Sequence, residues 1–539
     1  MHSSENQHRP PLLLTTVCRP FGEDGDGDSV GAELFHNQVT RNQGVFSYRQ
    51  VIRCWGLDYI AENLDTPTLV LHYPSEKEFL REIRNRFYGY IGINFVVATF
   101  HKAKRLASVI RKHSPGSKIV LGGYGTVLPQ DLLNPVCDYV CREEGIGFMR
   151  RLLNENTDRP IRHPYAPIES PRIFSLPLKT KVAHVTGGLG CPNGCDFCCT
   201  SHFFNRKYVP FAKTGQELYD ALKKMERCSK TAGDTLSGFI LIDEDFFIHT
   251  KRAREFLECV RKGGRPLSIM GFGSVKGLSQ FTADEIAEMG FDIIWTAFEG
   301  LGSGYNKLKG KNIAKLHKDL QSKGVAILSS MIIGFPYQDP VQVQEEVRQF
   351  QALEPALWQI LIYFAFPGTP LHEKAVAEKR FLPAFQENPD YRTFDGFTMH
   401  FTHLHFAADE LEALQKEIYR DNFEKLGPSL VRVVKAWFDG YRNLRDSDNP
   451  LLKGRAERMR EYVRSAMPGI WPAVVLGPNS RIRSEARSFL RDIESEMGPM
   501  SIAERIYSWL TLPCCLWTWL STRLRIGQQP KLMRIEHRM

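Results

Sequence analysis

Apolar residues recur in the first part of the chain as short runs with strand character, at 12–17, 68–72, 90–97 and 118–121, with a fifth at 138–141. Between them, at 76–87 and 102–113, apolar side chains return every three or four positions, the spacing of one helix face. Strands alternating with amphipathic helices predict an α/β fold: a doubly wound, Rossmann-like domain over 1–175. Its turn at Gly122 and Gly123 directly follows a strand, at the edge where such sheets take ligands. A plain tight turn explains the same pair of glycines.

From 181 onward the alternation becomes regular. Strand patterns at 182–186, 239–243, 267–271, 292–297, 325–333 and 358–364 are separated by helical patterns at 215–228, 251–262, 282–289, 313–322 and 341–353. Six strands in this rhythm predict a partial (β/α)6 TIM-type barrel over 176–385, with its chemistry at the carboxyl ends of the strands. After about 383 strands give way to Arg-rich helical patterns at 408–426, 429–444, 453–467 and 481–496, a helical extension over 386–539. The stretch 506–522 carries no charge, holds Trp509, Trp517 and Trp519, contains Pro513 and is followed by Arg523 and Arg525. A bilayer-spanning helix needs about 20 apolar residues. This stretch reads either as a helix docked on the protein's own core or as an amphipathic segment at a membrane interface.

Composition places the chain among folded proteins: 539 residues, 42% hydrophobic and 24% charged, away from disordered, collagen-like and polytopic membrane sequences. The formal charge is +9, and residues 427–539 hold 19 Lys or Arg against 11 Asp or Glu. A basic surface attracts nucleic acid, anionic lipid or an acidic substrate, and charge alone does not choose among them. Twelve cysteines, four of them within 191–199 and the rest scattered, do not form a disulfide framework. The first ten residues lack the apolar core of a secretory signal, which predicts a cytoplasmic protein. The one low-complexity stretch is acidic, at 22–29.

The sharpest chemical signal is Cys191-x3-Cys195-x2-Cys198, placed just after the first barrel strand and the glycine-rich turn 187–190. A four-iron cluster takes four cysteine ligands, so three leave one iron with an open position for a substrate or cosubstrate. His202 follows Cys198 by four residues, and Cys3His is a legitimate tetrahedral zinc set. The position at the reactive end of a barrel argues for the cluster. Cys199 reads as a packing thiol.

With Phe197 before the last cysteine, the Cys-x3-Cys-x-aromatic-Cys arrangement resembles the radical S-adenosylmethionine (SAM) enzymes. The resemblance implies a [4Fe-4S] cluster on Cys191, Cys195 and Cys198, whose open iron chelates SAM. Injection of an electron would then yield a 5'-deoxyadenosyl radical that abstracts hydrogen from an unactivated carbon. It also implies that the backbone at Phe197 touches the adenine. Asp243 and Asp245 look like the acidic motif after the second strand of this family, and Glu299 like a residue near the ribose. Segments 334–336 and 367–371 look like its late barrel motifs. The alternative for Asp243, Asp245 and Glu299 is a solvated strand end.

The first domain, with Gly122 and Gly123, resembles the cobalamin-binding domain of one branch of the family, so cobalamin is an expected further cofactor. The chain departs from that pattern in having no Asp-x-His-x-x-Gly motif to supply a lower cobalt ligand. The implied function is radical modification of carbon (C-methylation, rearrangement or carbon–carbon bond formation) on a lipid or natural-product substrate. The implied partners are that small-molecule or lipid substrate, an electron donor such as flavodoxin or ferredoxin, and a membrane touched peripherally by the C-terminal segment. Two other readings stand beside it: RNA modification, against which the lack of a recognisable nucleic-acid module speaks, and a non-catalytic iron–sulfur or corrinoid sensor.

Overall fold

The structure, a computed structural model, describes residues 10–21, 33–168, 171–178, 180–300, 302–305, 312–387 and 389–539. The first nine residues and the acidic tract at 22–29 lie outside the described residues. In the first sheet β1 (Leu12–Thr16) is flanked by β2 (Thr68–His72) and β3 (Tyr90–Asn94), and β4 (Lys118–Gly122) and β5 (Tyr139–Val140) follow, all parallel. Every residue of β1 and β2 is buried, as a parallel sheet covered on both faces requires. Helices α1 (Trp55–Glu62), α2 (Glu76–Asn85) and α3 (Phe100–His113) connect the strands. A capping box between Ser75 and Glu78 starts α2, and Phe79 and Ile83 form its buried stripe. The order 2-1-3-4-5 is doubly wound, as its pattern predicts, and it reverses between β1 and β3.

The second sheet runs β6 (Lys181–Thr186), β7 (Leu236–Ile242), β8 (Ile269–Phe272), β9 (Phe291–Ala297), β10 (Ala326–Ile333) and β11 (Leu357–Ile362), each parallel to the next in chain order. After β6 a loop leads into the short α4 (Cys199–Phe203). Then α5 (Gly215–Thr231), α6 (Thr250–Gly263), α7 (Ala283–Glu288), α8 (Ile313–Ser322) and α9 (Pro340–Ala352) alternate with the strands. All six loops that follow the strands therefore emerge on one side, where a barrel keeps its chemistry. No pairing of β6 with β11 closes the sheet among the described residues.

Helices α10 (Ala408–Leu426), α11 (Ser429–Leu444), α12 (Pro450–Leu476), α13 (Ser480–Met497) and α14 (Ile502–Arg523) make the extension. Two features differ from the expectation. The third helix, expected to end at 467, continues through Pro468 and Pro472 to Leu476, because Ile470, Ala473 and Val474 are buried and their packing outweighs the lost backbone hydrogen bonds. And strands do not cease after 383: β12 (Met533–His537) pairs antiparallel with β2, Ile535 opposite Val70, and completes the first sheet as its sixth strand. Its half-buried residues alternate with exposed ones, the period-two pattern of an edge strand.

Candidate active site

The chain turns sharply where β6 reaches the carboxyl edge. Gly187 N–H donates to Ile242 O at 2.8 Å, tying the turn to the end of β7, and its carbonyl accepts from Phe211 and Ala212, both at 2.9 Å. The glycines of this loop are demanded by close approach: a Cβ on Gly190 (φ +84°) would lie 2.2 Å from Lys207 O, and on Gly194 (φ +71°) 2.5 Å from Arg206 Nε. Cys191 and Cys195 are buried and Cys198 is partly exposed; no cysteine of the chain is in a disulfide. Ser201, on α4, locks the loop by donating to Cys191 O at 2.7 Å while accepting from Gly194 N–H at 3.0 Å. Cys198 N–H donates to Cys195 O at 3.0 Å.

Asn193, between the first two cysteines, donates from Nδ2 to Cys191 Sγ at 3.3 Å and to Asp245 Oδ2 at 3.0 Å. The other oxygen of Asp245 accepts from Ser274 N–H at 3.0 Å. Asp245 thus joins the cysteine loop to the end of β8. Asp243 is differently engaged. Its Oδ2 pairs with Arg252 on α6 and accepts from Tyr208 at 2.9 Å, while Oδ1 is buried with no hydrogen-bond partner. Burial pushes its carboxyl up to about 6, against the opposing pull of the Arg252 guanidinium.

Phe197 packs edge-on against Tyr305 (5.3 Å between ring centroids) and Tyr363 (5.7 Å). Both hydroxyls converge on the Asp196 carboxylate, Tyr363 at 3.2 Å, and Leu371 N–H donates to Asp196 O at 3.2 Å. Burial, and then the hydrogen bond to Asp196, push the Tyr305 hydroxyl well up, which keeps it a donor. Segments late in the barrel therefore hold the aromatic position of the motif, through contacts separate from those of Asp245. Glu299, at the end of β9, is buried in the left-handed region at φ +49°. Backbone of that kind on a non-glycine residue collects at functional sites.

The first sheet faces this mouth. Gly123 takes φ +89° and ψ 176°, and a Cβ there would lie 2.7 Å from both Asn94 Nδ2 and Phe95 O. Gly122 is not so confined, its nearest neighbour being Cys141 Cβ at 4.0 Å. Tyr124 meets Phe203 of α4 edge-on at 5.1 Å, and a Cβ on Gly368 would lie 3.1 Å from Val127. The glycine turn and the cysteine loop are thus neighbours across the domain boundary.

Asn193, Tyr208, Arg252, Tyr305 and Tyr363 are partners that sequence reasoning missed. Asn193 alone had a signal, an amide side chain between two cysteines. The three thiols, with an amide donor already on one sulfur, are chemically suited to a multi-iron cluster, one thiolate per iron. Among the described residues no three His, Cys, Asp or Glu side chains are grouped as ligands of a single ion. His202 Nε2 is hydrogen-bonded to Cys195 O at 3.0 Å. For a corrinoid, the bare backbone of Gly122 beside the mouth leaves room for close approach. Among the described residues the buried histidine on that sheet, His72, is bonded to Asp58 at 3.2 Å.

No protein-family model matches the chain. An uncharacterized methyltransferase of Pyrococcus horikoshii is 22% identical over 393 residues, 64% of this chain and 83% of that protein. Bacteriochlorophyllide d C-8(2)-methyltransferase of Chlorobaculum tepidum is 23% identical over 316 residues, 53% of this chain and 68% of that protein. Among solved structures, the radical SAM methyltransferase TsrM of Kitasatospora setae is 14% identical and covers 85% of this chain and 100% of its own, with TM-scores of 0.51 with cobalamin and a [4Fe-4S] cluster bound and 0.52 with tryptophan and a SAM analogue bound. The chain shares that fold, in agreement with the resemblance drawn from the cysteine motif.

Proposed function

We propose that this chain, built on the fold of a radical SAM methyltransferase, is an enzyme that methylates an unactivated carbon of a small hydrophobic molecule, a lipid or a natural product, in the cytoplasm. The observation that carries the reading is the cysteine loop at the carboxyl end of β6, with Asn193 donating to Cys191 Sγ and Asp245 holding Asn193. In this reading Cys191, Cys195 and Cys198 hold a [4Fe-4S] cluster, and Gly122 and Gly123 line the approach of a cobalamin. When bound, the cluster supplies an electron for cleavage of SAM, and the corrinoid a carrier for its methyl group.

The chain's own residues do the rest. Asn193 offers an N–H to the sulfur of Cys191 and so steadies the thiolate. Asp245 is a positioning residue, fixing Asn193 and the start of the loop after β8. Phe197 presents its backbone to the adenine, clamped there by the Tyr305–Asp196–Tyr363 group. Asp243 and Glu299 face the polar end of SAM in this reading, Asp243 with its unpartnered Oδ1. C-methylation ranks ahead of rearrangement or carbon–carbon coupling because both curated relatives are named as methyltransferases.

The test is anaerobic reconstitution with iron and sulfide, with and without cobalamin, followed by SAM and a strong reductant. Wild-type protein is expected to consume SAM to 5'-deoxyadenosine or S-adenosylhomocysteine, and Cys195→Ala to do neither. A protein that assembles its full cluster, binds SAM and leaves it intact with every candidate substrate would overturn the reading and favour the sensor.

A further inference from the structure

Helix α14 is built inside out. Its buried stripe is Ser508, Thr511, Cys515, Thr518 and Ser521, small and mostly polar, and these hydroxyls bond back to their own helix, as Thr518 Oγ1 does to Cys514 O at 2.8 Å. Its outer face carries the large apolar groups: Trp509 is 62% exposed, Leu516 64% and Trp517 50%, with Ile506, Leu510 and Trp519 also exposed. Burying each such side chain is worth about 1.5–3 kcal/mol, so a helix that spends its contacts on serine and threonine forgoes most of its hydrophobic stabilisation in water. The small inner residues let α14 lie close against the protein and leave the apolar face to a partner. A contiguous apolar face of this kind marks an interaction surface.

The charge around it says which partner. Arg505 and Arg523 sit at the two ends of the apolar face, and Arg525 just beyond it. Beside the helix a cavity of about 790 Å³ opens between the segment 36–47, α10 and α14. Lys416, Arg420 and Arg523 line it together with Thr518, Thr522 and one acidic residue, Glu417. Tryptophan at the water boundary, apolar groups outward and arginine at the flanks is the composition of a helix lying in the plane of a bilayer surface. No helix among the described residues is long and apolar enough to cross a membrane.

We infer that α14 docks the protein on an anionic phospholipid bilayer, its tryptophan and leucine face entering the headgroup region while the cleft lined by Lys416, Arg420 and Arg523 receives lipid phosphate. Each cation near such a surface adds about 1 kcal/mol, and the attraction is screened by salt. The inference stands on α14 and its cleft alone and is independent of the reaction proposed above, so the two fail separately.

Flotation of the full chain with vesicles tests it without turnover. The protein is expected to float with phosphatidylcholine vesicles containing phosphatidylglycerol, less well with phosphatidylcholine alone, and to lose flotation as salt rises. Leu516→Glu combined with Trp517→Glu should weaken binding by more than about tenfold. Arg420→Glu combined with Arg523→Glu should abolish the preference for phosphatidylglycerol. Should the glutamate variants misfold, quenching of wild-type tryptophan fluorescence by brominated lipid decides, since Trp509, Trp517 and Trp519 would meet the acyl boundary. Absence of both flotation and quenching overturns the proposal. So does a wild-type dimer that ignores vesicles and becomes a monomer on substitution of Leu516 and Trp517, which would assign the face to a second copy of the chain.

Discussion

The parallel strands of the two sheets meet carboxyl edge to carboxyl edge, and they are held there by opposite means. On the barrel side side chains do the fixing: Asn193 bridges Cys191 to Asp245, Arg252 and Tyr208 grip Asp243, and two tyrosines converge on Asp196. On the side of the first sheet the decisive feature is a missing side chain, since the backbone of Gly123 passes where any Cβ would strike Asn94 and Phe95. A reactive centre needs groups of fixed charge and direction. A turn packed this closely on its own neighbours needs bare backbone. The contrast teaches that the barrel edge is broken by taking groups away, and the other edge by adding one.

The largest effect follows from Arg252→Ala. It removes the guanidinium that opposes burial at Asp243, driving the carboxyl further up with only Tyr208 left as a partner, and the loss of one member of a buried pair is expected to lower unfolding stability by about 3–5 kcal/mol in chemical denaturation. Next comes the pH response of the same carboxylate. Asp243 titrates near 3.8 when free and near 6 when folded. Its contribution to stability is therefore fully present below about 4 and is lost as pH rises to about 6, roughly 3 kcal/mol at most. Denaturation midpoints of the protein without added iron should fall over that window, and the part of the fall due to Asp243 should vanish in Asp243→Asn. Smaller is Gly123→Ala, which forces a methyl group into backbone that only glycine tolerates. It is expected to lower stability by about 1–3 kcal/mol and, if the turn carries a corrinoid as proposed, to weaken its binding while the iron content after reconstitution stays unchanged. A Gly123→Ala variant as stable as wild type would erase the contrast between the two edges.

Much of this architecture could be read from the sequence because it is written in local periodicity. The strands at Thr68–His72 and Lys181–Thr186 and the helices at Ile313–Ser322, Ala408–Leu426 and Ser429–Leu444 lie where apolar spacing puts them. The cysteine loop was legible for the same reason, its spacing being local. What escaped is non-local: Tyr208, Arg252, Tyr305 and Tyr363 reach the site from segments whose own patterns say nothing of Asp243 or Asp196. Strand β12 escaped because five alternating residues after a long helix carry little signal until the open edge of β2 is there to receive them. The apolar stretch of α14 left two readings open, docking on the protein's own core or lying at a membrane interface, because which face turns inward depends on the surface the helix meets.

Strand β12 also sets an order of events in time. Phe21 N–H donates to Gln529 Oε1 at 2.7 Å, Arg19 to Pro530 O at 2.7 Å, and β12 then lies along β2. A sheet whose first five strands lie within 12–140 is completed by residues 533–537, after the barrel and five helices between them have been made. At about 5–20 residues per second, β2 waits tens of seconds as an unpaired edge, the kind of template on which chains join each other by mistake. Chaperone demand during synthesis, rather than the stability of the finished molecule, is where this late-arriving strand should make itself felt.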